Sequence, residues 1–242
     1  MSTERHFIEV SGIQVEVVRK SIKNLHLGVY PPEGRVRVAT PLSMDDEAVR
    51  LAVVSRLGWI RRKQQEFREQ ARQSEREMVT GETHYVWGQR YRLEVIEQWW
   101  RQHVELGPGK KLRLCIHPGA DRERRLRVLN RWYREELRKR IPKLIRKWEP
   151  KLGVKVSDWR VKRMRTRWGT CNPEAGRIWI NLELAKKPPQ CLEYIVVHEM
   201  AHLIERTHNY RFQRTLDQAM PRWKIYRELL QREPLAHEEW IY

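Results

Sequence analysis

Within Val196-Val197-His198-Glu199-Met200-Ala201-His202-Leu203, two histidines stand four positions apart and a glutamate directly follows the first. At 3.6 residues per helical turn, this spacing puts His198 and His202 on one face, where two imidazoles can share a tetrahedral zinc ion. Glu199 then falls beside the metal. From there its carboxylate can take a proton from water as that water attacks an electrophilic carbonyl or phosphoryl centre. The three residue types at this spacing predict a hydrolytic site with Glu199 as general base. The surrounding Leu192, Tyr194, Ile195, Val196, Val197, Leu203 and Ile204 make the helix apolar almost all round and predict that it is buried. Ionisable groups inside such a helix are costly unless a metal or partners satisfy them.

A catalytic zinc usually has three protein ligands and one open position. His208, six residues beyond His202, is the expected third ligand of one zinc ion per chain. A carboxylate from the following helix is the alternative, with Asp217 nearest, either as ligand or as an acceptor that orients an imidazole. Metzincin proteases use the same HExxHxxGxxH spacing, but Glu205 stands where their glycine permits a left-handed bend. The turn towards His208 must therefore be made differently here.

Two numbers bound the rest. At 242 residues the chain can bury a real core without a disulfide or metal staple, so a metal is expected to be catalytic rather than structural. With 49 Lys plus Arg against 31 Asp plus Glu, the formal charge is +18, a field that attracts polyanions. Nucleic-acid association through a basic surface is one reading and a solvated cationic surface is the other. The stretch Arg122 to Lys151 concentrates the charge, with 13 basic residues against four acidic ones. Cys115, Cys171 and Cys191 form no CxxC pair, which suits a reducing cytoplasmic setting. Neither a signal peptide nor an apolar run long enough to cross a membrane is expected.

The elements that must position the site fall in two expected parts, a β-rich module over 1–118 and a hydrolase domain over 119–242. From Phe7 to Val38 the apolar residues alternate, with Ser11-Gly12 and Pro31-Pro32-Glu33-Gly34 as turns, which predicts consecutive hairpins and an antiparallel sheet. A long helix is expected to start near Ser43 to Glu47. A second β-rich stretch covers Tyr85 to Ile116, with no chemistry of its own. Asp121 is placed to cap a helix running to about Trp148, kinked at Pro142. Two strands, Trp159 to Met164 and Arg177 to Asn181, should flank a loop containing Arg167-Trp168-Gly169-Thr170-Cys171, whose small residues favour close backbone approach. Arg167 could bind a carboxylate or phosphate if it faces the cleft. Pro188-Pro189 then opens the histidine helix.

Taken together, Arg167-Trp168-Gly169-Thr170-Cys171, the strand ending at Asn181, Tyr194 to Leu203, His208 and Phe212 resemble the YgjP-like metallopeptidase family, related to the SprT-like and WLM zinc peptidases. The family pattern is RWGSC, a strand ending in Asn, YVVxHELxHL, then HxxxF. Thr170 replaces its serine, Met200 its leucine, and Gln213 stands where tryptophan commonly follows the phenylalanine. The resemblance implies an α+β protein with a zincin-like domain, a small antiparallel sheet against the active-site helix, ligands His198, His202 and His208, and Glu199 as base.

The expected activity is zinc-dependent peptide hydrolysis, with Arg167 and Tyr210 as candidate substrate contacts. Two alternatives stay open. The same chemistry could attack phosphorus in a nucleoside triphosphate and release pyrophosphate, or the protein could be a DNA-associated peptidase or binding protein.

Overall fold

A computed structural model of the protein describes residues 4–30, 34–69, 76–164 and 167–232. They fall into two compact units, residues 4–69 and 76–232. No helix among the described residues is long and apolar enough to cross a membrane.

In the first unit, strands β1 (Glu4–Val10), β2 (Ile13–Lys20), β3 (His26–Tyr30) and β4 (Arg35–Pro41) form one sheet in the order β1-β2-β4-β3. The two-residue turn Ser11-Gly12, with φ of 52° and 77°, closes an antiparallel hairpin, as positive φ at both positions favours. Contrary to the expected antiparallel sheet, β2 and β4 run parallel, with Val15 opposite Val36 and Val17 opposite Val38. The segment after β2 carries the chain past one strand position, and β4 returns antiparallel to β3 to fill it. The alternate residues Val15, Val17, Val36 and Val38 pack on Val49, Val53 and Ile60 of helices α1 (Asp46–Val54) and α2 (Leu57–Glu69). The expected single long helix is thus two, broken at Ser55 and Arg56. Its cap is Asp45, whose carboxylate accepts from the Ala48 N–H.

In the second unit, β5 (Thr83–Val86), β6 (Gln89–Glu97), β7 (His103–Gly107) and β8 (Lys111–Ile116) repeat the arrangement, in the order β5-β6-β8-β7 with β6 and β8 parallel. The turn recurs as Trp87-Gly88, φ 51° and 79°, and the cap as Asp121, each 76 positions on (87 − 11 and 121 − 45). Asp121 accepts from the Arg124 N–H and starts helix α3 (Arg122–Leu152), which runs through Pro142 without interruption and ends at left-handed Gly153.

The remaining elements are β9 (Asp158–Lys162), β10 (Gly169–Asn172), β11 (Arg177–Asn181), α4 (Pro189–Ala201), α5 (Tyr210–Ala219) and α6 (Trp223–Arg232). The supposed loop around Gly169 includes strand β10. Its sheet, ordered β10-β11-β9, is mixed rather than antiparallel, since β9 and β11 run parallel. Leu93, Leu112 and Leu114 of the second sheet share one core with Tyr133, Leu137 and Ile141 of α3, Ile178 and Ile180 of β11, and Val196 and Val197 of α4. The second compact unit begins near residue 75, and within it the second β-rich stretch buries its apolar face with the histidine helix.

Candidate metal centre

Helix α4 is buried on nearly every side, as its composition requires, and ends at Ala201, leaving His198 on the last turn and His202 as the C-cap. Tight turns follow, with the Leu203 N–H donating to Met200 and the Ile204 and Glu205 N–H groups donating to Ala201. Glu205 then does what a bend glycine would do elsewhere. Its carbonyl accepts from His202 Nδ1 at 3.0 Å, while its carboxylate accepts from the Thr207 N–H and Oγ1. These bonds bring the chain back to His208.

The result is convergence of three imidazoles. His208 Nε2 lies 3.0 Å from His198 Nε2 and 3.1 Å from His202 Nε2. Tetrahedral coordination at metal–nitrogen distances of about 2.0–2.1 Å requires nitrogens about 3.3–3.4 Å apart, so the arrangement fits one zinc-sized cation. Because a carbonyl only accepts, His202 must carry its proton on Nδ1, which leaves the Nε2 lone pair facing the other two rings. Burial, then the neighbouring His202 and His208, hold the His198 ring down to about 3, and burial also lowers His202. Both are thereby kept in the neutral form that ligates a metal. His198, His202 and His208 are the group able to hold a metal among the described residues.

Aromatic side chains pack around the three rings. Phe212 stacks on His202 at 4.5 Å and meets His198 and His208 edge-on at 5.0 and 4.8 Å. It is fixed by the first turn of α5, where the Asn209 side chain accepts from the Phe212 N–H. Tyr194 lies edge-on to His198 at 5.7 Å and stacks on Trp223. Asp217 is used elsewhere: it accepts from Trp223 Nε1 at 2.8 Å, apart from the histidine group.

Glu199 is buried beside the cluster and against strand β10. A Cβ on Gly169 would lie 2.5 Å from Glu199 Oε1, so glycine is required for this approach. Desolvation pushes the Glu199 carboxyl up to about 8, against the charge of Arg167. Asn181 anchors the strand from behind, its amide donating to the Met164 and Arg167 carbonyls at 2.8 and 2.7 Å.

These groups line a cleft of about 840 Å³. All four residues of β10 form one wall, and β10 is an edge strand with no partner on its outer side among the described residues. Arg167 lines the cleft. Tyr210 is 75 % exposed and does not. Arg206 and Arg227 also line it, and no motif spacing marked them.

The fold and site thus define a mixed α+β protein with three converging histidines able to hold a metal. A family model described as YgjP-like, metallopeptidase domain, matches residues 23–233, and the chain belongs to that family. Among solved structures, the metallopeptidase zymogen of Pyrococcus abyssi abylysin is similar, with 21 % identity and a TM-score of 0.35 over 39 % of this chain and 99 % of that one. No curated protein matches the chain.

Proposed function

We propose that the protein is a zinc-dependent peptidase in which His198, His202 and His208 hold the metal and Glu199 is the general base. The observation that carries this reading is the convergence of three Nε2 atoms beside a buried carboxylate and the open edge of β10. A bound zinc would supply Lewis-acid chemistry, making water nucleophilic near neutral pH and polarising a carbonyl.

The chain's own residues do the rest. An extended peptide lies along Gly169–Asn172, pairing backbone amides with the free edge, as added strands do. This sets the scissile carbonyl next to the histidines. Glu199 receives the proton of the attacking water and delivers it to the leaving amine. Phe212 and Tyr194 exclude bulk water from the ligand rings, and Glu205 holds the His202 tautomer.

The test is turnover of a peptide library by the zinc-loaded protein. Glu199→Gln should retain zinc and lose at least about 100-fold in kcat, the range expected for removing a general base. His208→Ala should lose zinc, measured by metal analysis after dialysis. Full peptidase activity in Glu199→Gln, or undiminished zinc in His208→Ala, would contradict the assignment. So would release of pyrophosphate from nucleoside triphosphates, dependent on Glu199, without peptide cleavage.

A further inference from the structure

Three arginines from distant parts of the chain meet at the cleft. Arg167 immediately precedes Trp168 and β10, Arg206 lies in the turn between His202 and His208, and Arg227 projects from α6 over the Trp223 ring at 5.1 Å. All three are exposed. No carboxylate pairs with any of them among the described residues. Cations elsewhere in this unit do find carboxylates: Arg177 reaches Asp158 at 3.1 Å, Lys147 reaches Glu193 at 2.6 Å, and Arg113 reaches Glu94 at 3.0 Å.

The acids lining the cleft are Glu174, beyond the far end of β10, and Glu199. Glu199 is committed to the water, which leaves the walls with an excess of positive charge. Arg167 and Arg227 line the same cleft as Glu199, His198 and strand β10.

We propose that the cleft selects peptides with acidic side chains flanking the scissile bond, read by Arg167, Arg206 and Arg227. The proposal rests on the peptidase reading and names its substrate class. The guanidinium groups face carboxylates with a planar fork of donors, so two substrate acids can each be held while the backbone pairs with β10. That same strand edge favours a peptide over a nucleic acid or a polyphosphate, because neither of those offers backbone amides to a β-edge. A solvent-exposed ion pair is worth up to about fivefold, so three together give a preference on the order of tens-fold.

The experiment compares fluorogenic peptides identical except for Glu, Gln or Lys on both sides of the cleaved bond. The zinc-loaded protein should cleave them in the order acidic, neutral, basic, with a ratio of about tenfold or more between the first two at low salt. The difference should sit mainly in KM and shrink at high salt. Arg206→Gln and Arg227→Gln should each lower the acidic-to-neutral ratio about threefold, and the corresponding lysine variants should restore most of it. A second readout is independent of turnover: fluorescence anisotropy of labelled acidic and neutral peptides with the Glu199→Gln protein. Tighter, arginine-dependent binding of the acidic probe supports the proposal even if no peptide is cleaved, an outcome that would sink the peptidase reading alone. Cleavage without acidic preference overturns the proposal and leaves the peptidase reading standing. A single-stranded oligonucleotide of equal charge that binds more tightly than the acidic peptide would also overturn it.

Discussion

The two four-stranded sheets share strand order, a parallel central pair, a positive-φ turn and an aspartate cap, yet they differ in what they pack on: the second shares its core with the histidine helix. In the first unit the turn Ser11-Gly12 closes its hairpin, and a Cβ on Gly12 would meet nothing within 4 Å. In the second, Trp87 and Gly88 donate their N–H groups to the carbonyls of Ala185 and Lys186, immediately before α4. Tyr133, buried on α3, donates to the Tyr85 carbonyl in the same hairpin. A topology is set by local turns and strand return, whereas its role is set by what the turn touches. In the second unit the turn holds the start of the helix that carries His198 and Glu199.

The matched glycines break this comparison most strongly. Gly88→Ala forces φ +79° on a side chain and puts its Cβ 2.8 Å from Pro188 Cγ, so it should cost about 2–4 kcal/mol and reduce zinc retention. Gly12→Ala meets the same backbone strain without a clash and should cost about 1–2 kcal/mol, leaving zinc retention unchanged. Thermal unfolding with metal analysis checks both, and equal effects on zinc would remove the proposed role of the second turn.

Acid sharpens the contrast at a single position. Where β1 has Ile8, β5 has His84 (84 − 8 = 76), 5 % exposed and 3.2 Å from Glu82. Burial lowers this histidine to about 4, with Glu82 opposing and Arg76 and Lys186 assisting. A folded-state pKa below the unfolded value means that the unfolded chain binds the proton first. The stability this group contributes is therefore present above about pH 6.5 and is lost as pH falls towards 4, by about 3 kcal/mol. Denaturant titrations between those pH values should show a shallower loss for His84→Gln than for the natural chain.

The smallest effect should be shared. Asp45→Ala and Asp121→Ala each remove one helix cap and should cost about 1 kcal/mol in unfolding free energy. Similar losses would show that the two modules are equivalent at their caps.

What could be read without coordinates was what lies close in sequence. His198, Glu199 and His202 sit within two helical turns, so the period of the helix puts the two histidines on one face with Glu199 beside it, and the Asp121 cap needed only its own first turn. His208 could be named from spacing, but Glu205's substitute for a glycine bend depends on hydrogen bonds to Thr207 and His202. Alternating valines marked β2 and β4 as strands. They could not show that β4 lies parallel to β2, since alternation is identical for either direction.

Sequence by itself determined the chemistry available and the local elements that carry it, because both depend on residue type and on contacts a few positions apart. Only the tertiary structure decided that the second sheet belongs with the histidine helix, that β10 offers an open edge beside Glu199, and that Arg167, Arg206 and Arg227 share one cleft. Those facts follow from how distant segments bury their apolar faces, and no spacing along the chain encodes which faces meet.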